Sequence, residues 1–262
     1  MLAEHVGALA GSAELLRGRE DGARGLKILD AVRAEESAKA LILLDVVRAG
    51  WADQKVVSKL LRYFSNHLAR GIYGEIVALS PATFGEVMEL VGNMRPSHYL
   101  DGPSGAEFLY RNHLEAAREE SFYVDYVEFE DGGNQWIGPT NSFSMDTWGA
   151  GPSTDLVLAM HRLGMFGVGA LECIRGAWVD AVLTEHFHWQ ENVQRNRAAL
   201  ASAQERGLLT PPESAQRDVA IVLQRWGFPL ASLDLSRIAM TPQVIADERS
   251  AVQEAFLRDM YG

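Results

Sequence analysis

Cysteine is nearly absent: Cys173 is the only one in 262 residues. A lone thiol excludes a disulfide framework and a cysteine-based zinc site within one chain. Long apolar runs are missing as well. None reaches the roughly 18 residues that a membrane span needs. The opening segment Met1 to Val6 lacks a basic region followed by an apolar one, so no secretory signal is expected. These absences make the cytoplasm the expected location and leave membranes out of the expected partners. Basic charge is also scarce, with 24 Lys and Arg against 35 Asp and Glu and a formal net charge of −11. That balance argues against a broad nucleic-acid-binding surface, which must neutralise many phosphates. A small local basic cleft is compatible with it.

What is present is mostly helical pattern. Residues 1–18 carry Val6, Leu9, Leu15 and Leu16 at helical spacing, and Arg19 to Gly22 breaks the pattern. A long helix is expected over 23–49, ended by Gly50 and Trp51. Asp53 is placed to cap the next, over Gln54 to Arg70. A shorter helix over 82–92 is expected behind Ser80 as cap and Pro81 in its first turn. Asn93 to Gly105 reads as loop and 105–120 as helix. The period changes at Ser121. Phe122 to Phe129 is aromatic and β-branched, Asp131-Gly-Gly-Asn134 suits a tight turn, and Gln135-Trp-Ile137 follows, so a small hairpin is expected near 122–137. Pro139 to Pro152 reads as loop. Ser153 or Thr154 is expected to cap a second helical region over 154–206, one long helix or two. Further helices are expected over 213–226 and 241–260. The fold class is therefore mainly α, with a hairpin insertion and a C-terminal helical extension.

One helix in this acidic chain has no acid. From Gln54 to Gly71 there is no Asp or Glu. On an ideal helix, at ~100° per residue, Lys55, Lys59, Arg62, Asn66 and Arg70 fall within roughly 80°. They form one basic stripe, either a solvated face or the lining of a cleft. On the same straight helix Arg62 and His67 lie ~140° apart. His67 is therefore either structural or part of a composite site completed by a second subunit. Upstream, Glu35 and Glu36 precede Lys39. Either can pair with that lysine along the helix, or one can reach across to orient His67 or Arg62. A carboxylate so placed would fix the imidazole tautomer.

Other clusters carry less. Glu185-x-x-His188 matches half of a di-iron helix motif, and the second half is missing. A polar helix face or interface is the expectation there, and no metal or other cofactor is expected anywhere. Gly164, Gly167 and Gly169 follow no strand, so close helix packing is expected in place of phosphate binding. Asp125 is expected to be structural.

The order and spacing of three segments resemble the HEPN superfamily, in particular its AbiV-type abortive-infection branch. Arg62-x4-His67 resembles the HEPN Arg-x4–6-His motif. Arg33-Ala-Glu-Glu-Ser-Ala-Lys-Ala-Leu-Ile resembles the acidic-plus-lysine helix of AbiV-type proteins, and Asn66-His67-Leu-Ala-Arg70 their His-x-x-basic step. Arg118 to Tyr126 resembles their Tyr-Val-Asp step. Many HEPN motifs have a polar residue directly after the arginine. Tyr63 stands there in this chain, and the amide is Asn66. The likeness covers about residues 5–145 and thins out by about 195. It implies a HEPN-like helical domain over 1–145 with a helical region over 153–262 packed on it. It implies a dimer with the motif at the interface, and a metal-independent endoribonuclease that blocks translation or growth during phage infection. In that reading His67, Arg62, Glu36 and Asn66 are catalytic, and Lys55, Lys59, Arg70 and Lys39 hold RNA. A phage-encoded protein would be the trigger. The alternative is a non-catalytic helical module that binds a phage or toxin protein.

Overall fold

The computed structural model describes residues 1–19, 21–97, 112–128, 134–137, 150–210 and 212–241, and scattered positions from 243 to 258. Ten helices are found among them. They are α1 (Leu2–Leu16), α2 (Ala23–Arg48), α3 (Gln54–Phe64), α4 (His67–Leu79), α5 (Phe84–Met94), α6 (His113–Phe122), α7 (Ala150–Arg162), α8 (Val168–Trp178), α9 (Trp189–Glu205) and α10 (Pro212–Arg225). Four short strands accompany them: β1 (Pro96–Ser97), β2 (Asp125–Glu128), β3 (Asn134–Ile137) and β4 (Ile238–Ala239). The chain is thus mainly α-helical. No described helix is long and apolar enough to cross a membrane.

The 26-residue α2 is the axis. It packs against α1, α3, α4, α6, α7 and α8. That accounts for its middle, where Ala38, Ala40, Leu41, Ile42 and Leu44 are all buried: a helix enclosed on most sides needs apolar residues around most of its circumference. One hydrophobic cluster runs from Ala3 to Leu235 through both the early and the late helices. Gly50, at φ 83°, and Trp51, at φ 43°, turn the chain out of α2. Asp53 caps α3 as expected, its carboxylate accepting from the amides of Lys55 and Val56.

The centre of this core is polar. Asp45 is fully buried and takes Arg48 on Oδ1, and the Tyr73 hydroxyl and Leu230 amide on Oδ2, each of the latter at 2.7 Å. The Arg48 guanidinium lies between the rings of Trp178 and Trp226, 4.9 and 4.8 Å from their centroids, and donates to the Gly227 carbonyl. Removing these charges from water is tolerable because both Asp45 oxygens accept two bonds each and all three Arg48 nitrogens donate. The network fastens the segment after α10 to α2 and α4.

That segment then runs along the edge of the bundle as a strap. Arg95 binds the Ser236 carbonyl and the Asp234 carboxylate, and the Tyr63 hydroxyl donates to Asp234 and accepts from the Leu235 amide. β4 pairs in parallel with β1, Pro96 opposite Ile238. Arg237 binds Glu115 at the start of α6.

Several boundaries differ from the sequence pattern. The helix expected over Gln54 to Arg70 is two helices, broken at Ser65 and Asn66. Thr83, not Ser80, caps α5, and its hydroxyl accepts from the Glu86 amide. Ser80 instead ends α4 in the left-handed region at φ 50°. Ser153 and Thr154 lie inside α7 and are buried, with Thr154 Oγ1 3.3 Å from Ser37 Oγ on α2. The region expected as one or two helices over 154–206 contains three. The hairpin is present, but shorter: β2 and β3 pair antiparallel with Asp125 opposite Ile137, while Phe122 still belongs to α6. The hairpin turn at 129–133, the start of the helix expected at 105 and the loop expected at 139–149 lie outside the described residues.

Candidate functional site

The break between α3 and α4 makes the site. Asn66 adopts extended backbone and its side-chain oxygen accepts from the Ala69 amide at 2.9 Å, which starts a new helix at His67. Asparagine competes with helical hydrogen bonding in a helix interior and favours this capping position. His67 is therefore the first residue of α4, not a residue on the far side of α3. The ~140° separation computed for a continuous helix does not apply.

His67 meets α2. Its Nδ1 lies 2.9 Å from Glu35 Oε1. Arg70, one turn further along α4, places Nη1 3.1 Å from Glu35 Oε2 and Nη2 2.7 Å from the same His67 Nδ1. Arg118 from α6 adds its Nε at 2.9 Å from Glu35 Oε1, with its guanidinium over the Phe122 ring. Three helices thus converge on one carboxylate. It faces two guanidiniums and an imidazole, so the cluster carries excess positive charge in an acidic protein. The Arg70 side chain is 7% exposed and that of Glu35 19%, whereas that of His67 is 46% exposed. The His67 Nε2 edge has no protein partner among the described residues. The arrangement offers solvent an imidazole whose inner nitrogen is held by the protein.

The other expected site residues are distributed differently. Glu36 turns to Lys39 at 2.5 Å, and Lys39 Nζ sits 5.5 Å from the Phe64 ring centroid. The carboxylate that reaches the histidine is its neighbour, Glu35. Arg62 lies in the last turn of α3, exposed, and makes no hydrogen bond to His67 among the described residues. Lys55 and Arg62 have no side-chain hydrogen bond or ion pair among the described residues. Lys59 donates to the Leu233 carbonyl of the strap at 3.3 Å. Burial lowers its pKa, the nearby Asp234 carboxylate raises it, and Arg62 lowers it again. The stripe from Lys55 to Arg62 is thus separate from Arg70, which is buried against Glu35.

Two contributors were hard to place from sequence. Glu35 was one of two adjacent acids, and only the facing of α2 distinguishes them. Arg118 lies in the segment that resembles the Tyr-Val-Asp step, but nothing in the local pattern pairs it with a residue on α2. The Glu185–His188 cluster has a structural explanation. His188 caps α9, its Nδ1 accepting from the Gln190 amide while Glu191 binds the His188 amide. Among the described residues no group of three or more His, Cys, Asp or Glu gathers as a metal site would require. Gly169 packs closely, since a Cβ there would lie 2.9 Å from Leu208 Cδ1.

Comparison with protein-family models, with curated proteins and with solved structures finds no match for this chain.

Proposed function

We propose that this chain is an AbiV-like HEPN protein, an anti-phage effector that cleaves RNA without a metal at a site centred on His67. The observation that carries this reading is the exposed His67 ring whose inner nitrogen lies within hydrogen-bond distance of both Glu35 and Arg70. A carboxylate behind an imidazole orients the ring and supports proton transfer at the outer nitrogen near neutral pH. The nucleophile would be the RNA 2′-hydroxyl, and His67 would take its proton or supply one to the leaving 5′-oxygen. Arg62 would stabilise charge on the phosphorus-centred transition state. Because Arg62 makes no hydrogen bond to His67 among the described residues and is exposed on α3, it is open to a cleft shared by two copies, which is how this reading uses both. Lys55 on the exposed side of α3 would hold the RNA backbone.

The second reading, a helical module that binds a phage or toxin protein, is favoured by a different observation. Arg70 and Arg118 are both engaged by Glu35, so neither guanidinium is free for phosphate without rearrangement.

Growth arrest and RNA cleavage separate the two. His67→Ala and Arg62→Ala are each expected to abolish arrest without unfolding the protein, with losses on the order of 10²–10⁴ in cleavage rate. The exposed Glu89→Ala is expected to leave arrest intact. Cleavage should persist in chelator and leave 2′,3′-cyclic phosphate ends. Folded variants at both positions that remain fully toxic would end the ribonuclease reading in favour of the binding module.

A further inference from the structure

Two groups of opposite hydrogen-bonding character reach the same atom. Glu35 Oε1 is 2.9 Å and Arg70 Nη2 2.7 Å from His67 Nδ1. An ionised carboxylate can only accept and a guanidinium can only donate. A protonated Nδ1 serves Glu35, and an unprotonated Nδ1 serves Arg70. It cannot serve both.

The surroundings decide between them. Glu35 is satisfied either way, because Oε1 keeps Arg118 Nε at 2.9 Å and Oε2 keeps Arg70 Nη1 at 3.1 Å. Arg70 is not. Its Nε makes only a long contact, 3.4 Å, to the Asn66 carbonyl, and Nη2 has no partner other than His67 among the described residues. This side chain is 7% exposed. A buried charged donor left unpaired costs more than a carboxylate that loses one of three donors.

We propose that Arg70 is a positioning residue that holds neutral His67 in its Nε2–H tautomer. The exposed nitrogen is then a hydrogen-bond donor and not a base. The charged groups that meet at the ring are Glu35 from α2 and Arg70 from α4, with Arg118 from α6 on the shared carboxylate. When the ring gains a second proton, Nδ1–H turns to Glu35 and Arg70 Nη2 is displaced. Each protonation state of His67 thus has a partner already in place. The catalytic consequence rests on the ribonuclease reading: the resting site offers a donor to a phosphate oxygen, and His67 becomes a base only when Arg70 is drawn away from Nδ1.

Long-range proton–nitrogen correlation spectra of the full-length protein, labelled at histidine nitrogen, test this directly. The His67 signals are assigned by their loss in His67→Gln and read above the ring's titration midpoint. The expected pattern is a pyrrole-type Nε2 and a pyridine-type Nδ1. Arg70→Met is expected to reverse it, with Nδ1–H now bonded to Glu35. A pyrrole-type Nδ1 in the wild type, or an even mixture, overturns the proposal, and so does a folded Arg70→Met that keeps the Nε2–H form. If Arg70→Met does not fold, the wild-type spectrum alone decides. The expected tautomer in a protein that cleaves no RNA would support the tautomer assignment and sink the ribonuclease reading.

Discussion

Arg118 Nε lies 2.9 Å from Glu35 Oε1, although 83 positions separate the two in the chain. This ion pair locks α6 to α2 at the point where α4 also arrives. Glu35→Ala would leave Arg70 buried without its carboxylate and Arg118 without its partner. The expected loss is about 3 kcal/mol, within the range for breaking a buried pair by removing one side. The Glu36 side chain is as shielded as that of Glu35, but Glu36→Ala removes one partner, Lys39, where Glu35→Ala removes the partner of two guanidiniums and an imidazole, so it is expected to cost less, about 1.5 kcal/mol. Urea unfolding of the two variants checks the contrast. Equal losses would mean that the neighbouring acids are equivalent, and that Glu35 is not the hub.

The polar core predicts an alkaline weakness. Burial raises the Tyr73 pKa well above the usual tyrosine value, and the adjacent Asp45 carboxylate adds to it. A group whose neutral form is favoured by folding contributes fully below its unfolded pKa, about 10. Above that pH the unfolded chain loses the proton first, so stability falls as pH rises, by about 1.4 kcal/mol per pH unit until the folded group also titrates. Unfolding midpoints measured between neutral and strongly alkaline pH should show that slope. In Tyr73→Phe this contribution to the slope should vanish, although the variant starts less stable for want of the 2.7 Å bond to Asp45.

Much of this architecture is legible in the sequence, and the misses have physical causes. The α2 pattern is explicit because Leu26 to Val47 repeats at helical period and Gly50 ends it. The α3–α4 break was hidden because Leu60, Leu61, Phe64, Leu68 and Ala69 continue the apolar period across it. Periodicity records which face is buried, not whether the backbone is continuous. The local signal of the break is Asn66, which shares the angular range of the basic stripe but uses its side chain to cap α4. Ser153 and Thr154 misled in the opposite sense. Their hydroxyls suggested a helix start, but Thr154 meets Ser37 of another helix, a partner no local rule supplies. The strap was unreadable for the same reason, since Arg95, Tyr63 and Glu115 are matched to Asp234, Leu235 and Arg237 only in three dimensions.

The cap at Asn66 should be measurable on its own. Asn66→Ala removes the bond to the Ala69 amide, which is worth about 1 kcal/mol at a helix N-terminus. Asp53→Ala at the start of α3 should cost a similar amount. Only the first is expected to weaken the hold on His67, which sits in the turn that Asn66 begins. Denaturation should therefore rank the two variants together, while the His67 ring signals shift in Asn66→Ala alone. A shift of equal size in Asp53→Ala would mean that the ring responds to general loosening of the bundle.

The last prediction concerns how closely α4 and α6 approach. A Cβ at Gly71 would lie 3.2 Å from Leu114 Cβ, so the missing side chain lets the helices touch. At its start α6 is held by polar contacts, with the Asn112 amide on the Pro96 carbonyl and Glu115 on Ser97 and Arg237. A large side chain at Gly71 therefore presses on Leu114 in this held first turn, and displacing that turn shifts the helix that carries Arg118. Gly71→Ala sets a helix-propensity gain of up to ~1 kcal/mol against a few tenths of an ångström of displacement, and is expected to be near neutral. Gly71→Val is expected to push Arg118 away from Glu35. A double-mutant cycle reads this out. Arg118→Ala should cost about 1.5–2 kcal/mol in the wild-type background, as expected for a hydrogen bond to a charged group, and almost nothing beside Gly71→Val. Strict additivity would mean that the close approach at Gly71 and the seating of Arg118 are independent, and that α6 is positioned on Glu35 by the strap alone.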